Sequence, residues 1–340
     1  MMLRSSYEYT VSIIVVSFNT RELLRECLQS VLAECACLPG NRSAEILVVD
    51  NASADGSADM VEAEFSSSSS PVRLIRSKVN LGFGVANNVA MEAAEGHYLV
   101  LLNSDAFFHP GALGLALNHM DAETTAGIGG ARLVGRDGAW QPSARAFHSI
   151  LIDSLVLTGL STRFPHSRIF GAPARTWADP NRAAEVDWVT GAFMILRREA
   201  LQKTGLFDPA FFLYCEEVDL CRPVKTAGFR VLYWPDIVVT HLGGESSRQV
   251  GSLLVSKSQS QVELWRMRSI LIYYRKHFGW QAWLARGLEE ALYTLRQMRN
   301  RFSRISSRRE RGREAAAQLR LMEQAWRETK GGRVSPPRPW

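Results

Sequence analysis

Four short apolar runs, each followed by a helical or turn-rich stretch and each ending on polar residues, constrain this chain more than any other feature. Residues 11–17 (VSIIVVS) are rich in β-branched side chains and read as a buried parallel strand. Residues 45–50 (EILVVD), 72–76 and 97–103 (HYLVLLN) repeat the pattern. Between them, Asn19 is placed to cap a helix, with Glu22 three residues on as in a capping box, and 82–95 looks helical. Strands alternating with helices imply an α/β fold with a doubly wound, mostly parallel sheet. Ligands of such sheets sit at the carboxyl ends of the strands. Here those ends carry Ser17 and Asn19, Asp50 and Asn51, Asn80, then Asn103 and Asp105.

The pattern loosens further on. Residues 127–134 and 186–197 are strand-like, and 229–241 reads as two strands split at Pro235-Asp236. Between the first two, 136–179 is irregular, with one helix expected around 148–160. From 251 onward the spacing is helical, and 300–340 reads as exposed, with a partly disordered Pro-rich end. This divides the chain into a catalytic unit over 1–250 (halves meeting near 105), a helical extension over 251–305 and a basic tail over 306–340.

Charge supports the division. The net charge is +6, but residues 296–340 hold thirteen Arg/Lys against four Asp/Glu, a local +9 that leaves the rest at −3. Such a tail can meet acidic lipid, nucleic acid or nothing. We expect no nucleic-acid partner. Residues 262–299 set aromatic and aliphatic side chains beside arginines, which suits an amphipathic helix on an anionic membrane, packing on the catalytic unit, or a homodimer. No uncharged apolar run approaches the ~18–20 residues of a membrane span. Five cysteines without a Cys-x-x-Cys pair, and no apolar leader, fit a reducing, cytoplasmic compartment with at most peripheral attachment to the inner membrane face.

Several residues carry chemistry. Asp50, ending a strand, can accept from the imide N–H of uracil or thymine, or simply shape the turn before Gly56. In 80–88 (NLGFGVANN), Asn80, Gly82 and Asn87 surround a helix start. Glycine there lets backbone approach a ligand, and the helix end favours phosphate; the plainer reading is a loop and cap. Asp105 suits a hard divalent ion, which takes one or two carboxylates together with substrate phosphates, or else caps a turn. Glu216, Glu217 and Asp219 open a helix within apolar surroundings (FFLYCEEVDLC), which raise carboxylate pKa and so tune a base. His241 follows an apolar strand and is a candidate metal ligand.

Taken in order, VSIIVVSFN, ILVVDNASADGS, NLGFGVANN, YLVLLNSDA, GAFMILRR and FDPAFFLYCEEVDLC with its following AGFRVLYWPDIVVTHLGG resemble the family 2 glycosyltransferases of the GT-A fold. The similarity is greatest to bacterial rhamnosyltransferase-like members and spans residues 11–247. It implies a nucleotide-sugar donor (dTDP-rhamnose first, a UDP-sugar next), Mg²⁺ or Mn²⁺, and inversion at the anomeric carbon. The acceptor is expected to be a saccharide or lipid-linked saccharide of the cell surface. Asp50 then matches the nucleobase aspartate, Asp105 the metal aspartate and His241 a metal-binding histidine. The chain has Asn103 where the family often has Asp, and Glu217 where the catalytic base is usually Asp, so Glu216 or Asp219 can share that role. Pro223 is expected to kink the following helix. A nucleotidyltransferase on the same fold, and a non-catalytic sugar-nucleotide or membrane-binding protein, are the alternatives.

Overall fold

Alternation of burial along each strand builds two cores, one on each face of a single sheet. In β1 (Tyr9–Ser17), Val11, Ile13 and Val15 face one core and Ile14 the other, all fully buried. The computed structural model describes residues 7–67, 70–243, 255–303, 305–336 and 338. The end of the C-terminal motif (244–247), the 250/251 boundary and part of the serine run at 66–70 lie outside the described residues.

β2 (Ala44–Asp50), β3 (Val72–Arg76) and β4 (Gly96–Asn103) join β1 in the order β3-β2-β1-β4, all parallel. α1 (Arg21–Ala36) and α2 (Ser57–Phe65) bury Leu24, Leu28, Met60 and Val61 on one face, while α3 (Phe83–Ala93) buries Ala90 and Met91 on the other. The capping expectation fails in detail. Thr20 is the N-cap of α1 and makes no side-chain cap bond, because its hydroxyl is shared with Ser17 (3.0 Å) and Ser104 (2.8 Å). Asn19 instead accepts from the Ala54 N–H at 2.7 Å, tying two strand-end loops together.

The second half completes a mixed sheet. β5 (Ala106–Phe108) leads through α4 (Ala112–Ala122) to β6 (Ala126–Val134). Two-residue strands β7 (Trp140–Gln141) and β8 (Ala144–Arg145) follow, then α5 (Ile150–Leu157) and α6 (Leu160–Arg163). β9 (Ala184–Glu185), β10 (Trp188–Val189) and β11 (Phe193–Arg197) precede α7 (Arg198–Thr204), α8 (Glu216–Thr226) and β12 (Arg230–His241). β11 inserts antiparallel between β4 and β6, and β12 runs parallel to β6 and antiparallel to β5. The single strand expected over 186–197 is thus broken at residues 190–192. The two strands expected over 229–241 are one, with a register shift between Trp234 and Val238 that absorbs Pro235. α8 runs through Pro223 to Thr226.

Among the described residues three helices close the chain: α9 (Val255–Phe278), α10 (Gln281–Arg301) and α11 (Ser306–Glu328). α9 is buried on two sides. Ile270, Ile272, Tyr273 and Tyr274 pack on Phe211, Cys215 and Val218 of the catalytic unit, while Leu264, Met267 and Leu271 pack on Ala315, Met322 and Ala325 of α11. The tail expected to be exposed from 300 therefore holds a helix, α11, packed along one face, and the Pro-rich end expected to be disordered falls partly outside the described residues, at 337, 339 and 340. Glu328 of α11 pairs with the buried Arg268, and the Gly331 carbonyl accepts from Arg275 at 2.9 Å. Gly279, at φ +58°, divides the long amphipathic stretch in two.

Candidate active site

The carboxyl ends of β2, β4 and β12 meet the first turn of α8 across the sheet edge. Asp50 is buried at the end of β2. Its Oδ2 accepts from the Ser53 N–H at 3.1 Å, while Oδ1 is buried with no hydrogen-bond partner among the described residues. Such an acceptor costs about 1–3 kcal/mol until something donates to it.

Asp105 and His241 converge on the next opening. The chain leaves β4, turns at Ser104 and Asp105, and re-enters the sheet as β5, whose Ala106 lies directly opposite His241. His241 Nε2 is 3.6 Å from Asp105 Oδ1 and 3.5 Å from Asn103 Nδ2. His241 Nδ1 lies 3.2 Å from Gln141 Oε1, and the Gln141 amide donates back to the His241 carbonyl at 2.9 Å. The amide oxygen only accepts, so Nδ1 carries the hydrogen and Nε2 presents its lone pair toward Asp105. Burial depresses the His241 pKa, against the opposing pull of Asp105, so the ring stays neutral. Among the described residues, no group of three or more His, Cys, Asp and Glu side chains gathers. A carboxylate and a neutral imidazole suit Mg²⁺ or Mn²⁺ if water and substrate oxygens complete the shell.

The acidic run on α8 separates into three fates. Tyr214 and Cys215 both adopt positive φ (71° and 69°), a strained elbow that sets the angle of the first turn. Glu217 turns toward the break between β10 and β11, and its Oε1 accepts from the Gly191 N–H at 3.2 Å. A Cβ at Gly191 would lie 2.9 Å from Phe83 and 3.1 Å from Glu217, so only glycine lets these approach. Burial pushes the Glu217 carboxyl up, and the Gly191 N–H, Arg145 and His148 pull it back. Arg145 stands opposite Trp188 across the β8–β10 pair and stacks on its ring at 5.6 Å. Arg145 Nε and Thr190 Oγ1 are both buried without partners among the described residues. Glu216 is buried against α3 beside Gly84. Its Oε2 is unpartnered, and burial with the neighbouring Glu217 charge drives its pKa well up. Asp219 faces the extension, where Lys276 Nζ (2.8 Å) and His277 Nε2 (2.7 Å) occupy its two oxygens.

The start of α3 is not open to a ligand. A Cβ on Gly82 would lie 2.2 Å from the Phe212 carbonyl, so the close backbone approach is to protein. The Phe83 N–H donates to that same carbonyl at 3.0 Å. Asn80 Oδ1 accepts from Asn51 and from the Gly82 N–H, and Asn87 returns its amide to the Phe83 carbonyl. Ser17 is likewise buried within its hydroxyl chain. Of the expected ligand contacts, the structure gathers Asp50, Asn103, Asp105, His241 and Glu217 on one edge. It leaves Ser17, Asn19, Asn80, Gly82, Asn87 and Asp219 engaged elsewhere. Gln141, Arg145 and Thr190 carry no signal in the sequence, and Gly191 enters there only as the first residue of GAFMILRR. The first two lie in the irregular 136–179 stretch, where no periodicity points to a site.

Residues 12–205 match the family model for glycosyl transferase family 2. The chain is 27% identical over 255 residues to the N-acetylglucosaminyl-diphospho-decaprenol L-rhamnosyltransferase of Mycobacterium tuberculosis, covering 72% of this chain and 78% of the relative. It is 27% identical over 180 residues to the rhamnosyltransferase WbbL of Escherichia coli K12, covering 49% and 63%. In structure it resembles a mannosyltransferase of Pyrobaculum calidifontis solved with GDP-Man and Mn²⁺, at TM-score 0.50 and 16% identity over 96% of this chain and 77% of that one. That likeness shows the GT-A type of fold.

Proposed function

The chain belongs to glycosyl transferase family 2 and is a glycosyltransferase, and from that premise we propose that it moves rhamnose from dTDP-rhamnose to a hydroxyl of a lipid-linked saccharide, with inversion. Residues 1–105 form the donor half and 106–250 the acceptor half of the catalytic unit. The enzyme works in the cytoplasm, at the inner face of the membrane. The observation that carries the chemistry is the His241 lone pair fixed toward Asp105 by Gln141, with Glu217 held by Gly191 next to Ala192, whose carbonyl accepts from the Asn103 N–H. The names of the rhamnosyltransferase relatives support the sugar and the lipid-linked acceptor.

Asp50 Oδ1 receives the imide N–H of the nucleobase, which supplies its missing donor. Asp105 and His241 would hold Mg²⁺ or Mn²⁺, with Asn103 beside them. That ion, when bound, offsets the negative charge that grows on the diphosphate. Glu217 takes the proton of the acceptor hydroxyl as its oxygen bonds to C1 and the C1–diphosphate bond breaks. With Oε1 tied to Gly191, Oε2 is the oxygen that receives the proton. A single displacement inverts C1. Glu216 and Asp219 are left outside the reacting set. The family match favours this reading over a nucleotidyltransferase.

The test is transfer by the purified full chain to a prenyl-diphospho-N-acetylglucosamine, with dTDP-rhamnose and UDP-sugars offered separately, with and without EDTA. Rhamnosyl transfer abolished by EDTA is expected. Transfer only from a UDP-sugar overturns the donor, and transfer indifferent to EDTA overturns the metal.

A further inference from the structure

The extension buries one face of α10 and leaves another bare. Ala282, Ala285, Glu289, Tyr293 and Asn300 face inward. On the outer side Leu284, Leu288, Ala291, Leu295, Met298 and Phe302 follow one another at helical spacing with no charge among them. Leu295 and Met298 are each 61% exposed and Phe302 85%. The stripe is about 27 Å long at 1.5 Å per residue. Beneath the helix, on its inward side, Arg296 donates to the Leu157 carbonyl of α5, which itself exposes Leu151 and Val156. At the far end of the stripe Ile305 is also exposed, in the turn into α11. Residues 296–313 hold eight arginines and one acidic residue.

We propose that this face, from Leu284 to the α10–α11 turn, docks the enzyme on an anionic lipid bilayer. Exposed aliphatic and aromatic groups enter the interface while the arginines beside them meet lipid phosphates. A second copy would fit a narrow apolar seam. The favoured occupant is lipid because the face ends in a concentrated positive charge, which a bilayer of opposite sign neutralises and a second copy of the same sign would repel. No helix among the described residues is long and apolar enough to cross a membrane, so the contact lies in the interface plane. The inference deepens the reading of a lipid-linked acceptor and rests on it.

The experiment is co-sedimentation of the full chain with phosphatidylcholine vesicles, with and without phosphatidylglycerol, at low and high salt. Binding is expected only with the anionic lipid, and salt should weaken it. Phe302→Ser should lower vesicle affinity at least tenfold, by removal of a side chain that leaves water on docking. Arg308→Glu with Arg311→Glu should lower it by about 25-fold or more, since each basic residue near such a surface is worth about fivefold. Both variants sit at exposed positions and should keep the wild-type melting midpoint and transfer to a short-chain, water-soluble acceptor. No binding to anionic vesicles at low salt, or unchanged binding by both variants, overturns the proposal. So does a dimer in light scattering that Phe302→Ser dissociates, which would assign the face to a second copy. No donor or acceptor is needed for vesicle binding. Docking without transfer would sink the proposed reaction alone, and transfer in detergent without docking would sink this inference alone.

Discussion

The cleft at the sheet edge and the joint between α8 and α9 are built from the same residue types, and they differ in what is left over. At the joint the charges that face across it are paired. Asp219 holds Lys276 and His277, Lys276 also reaches Asp208, Arg222 stacks on Phe147 and Phe278, and Ser269 donates to the Leu213 carbonyl. In the cleft the same inventory stays incomplete, with Asp50 Oδ1, Arg145 Nε and Thr190 Oγ1 all buried and unpartnered among the described residues. Buried polar groups are normally satisfied, so a gathering of unmet ones marks where something else is expected to bind. Two carboxylates only two residues apart, Glu217 and Asp219, fall on opposite sides of this divide.

The contrast breaks most sharply at Glu217. Glu217→Gln should lower transfer about 10²–10⁴-fold, the usual worth of a general base, while leaving donor binding and the melting midpoint near wild type. If transfer survives and Asp219→Asn abolishes it, the two regions have been read the wrong way round. The wild-type pH profile belongs with this test. A base must be ionised, and burial raises the Glu217 pKa, so activity should fall as pH drops through a limb above the ordinary glutamate range.

Gln141 probes the cleft without touching the diphosphate. Gln141→Ala frees the His241 ring to change tautomer and should weaken metal-dependent nucleotide binding about 10–100-fold, as loss of an outer ligand partner usually does. Titration calorimetry with dTDP at several Mn²⁺ concentrations reads the effect, and an unchanged metal dependence removes Gln141 from the site.

On the joint side, Asp219→Asn should cost about 1–3 kcal/mol of stability, because a buried carboxylate loses its charge-assisted bonds to Lys276 and His277. Chemical denaturation measures it. The turnover of the folded fraction should stay near wild type, and a large loss of turnover at unchanged stability would move Asp219 into the cleft.

Smaller effects refine the picture. Arg145→Gln removes a positive charge that lowers the Glu217 pKa, so the acidic limb of the activity profile should move to higher pH. A shift to lower pH, or none, means that Arg145 does not face the base. Glu216→Gln should raise the melting midpoint, and by more at alkaline than at neutral pH. The sign follows from linkage. The folded-state pKa is raised, so above the unfolded value near 4.3 the native state binds more protons than the unfolded state. Stability then falls with rising pH until the folded pKa is passed. Glutamine has no proton to lose, so its advantage should widen over that window. A midpoint difference that is flat with pH would show that Glu216 is not held protonated.

Much of the fold was legible because a buried parallel strand advertises itself locally. The four runs from 11 to 103 fall on β1 to β4, and the polar residues that end them include Asp50 and Asp105. What local pattern cannot show is which of those polar groups will be consumed. The partner that closes Gly82 against ligand is the Phe212 carbonyl, Lys276 lies 57 residues beyond Asp219, and Gln141 lies 100 residues before His241. The antiparallel insertion of β11 was illegible for a similar reason, since an apolar run carries no mark of strand direction. For 262–299 the pattern allowed packing on the catalytic unit, which α9 shows, but it could not say how the arginines would be used. In the structure the half-buried Arg266 bridges Glu263 and Glu289, while the buried Arg268 lies over Trp265 and pairs with Glu328.

The joint at Asp219 also imposes an order on the making of the protein. The catalytic unit leaves the ribosome first, carrying a carboxylate that is only 5% exposed in the finished fold and an apolar patch around Phe211 and Val218. Their partners follow 57 residues later, roughly 3–11 s at ordinary rates of synthesis. For that interval the nascent chain presents sticky surface and an unanswered charge on the helix that bears Glu217. A gene fragment ending ahead of α9 would hold the polypeptide at this stage indefinitely. It would yield a chaperone client and not a smaller enzyme.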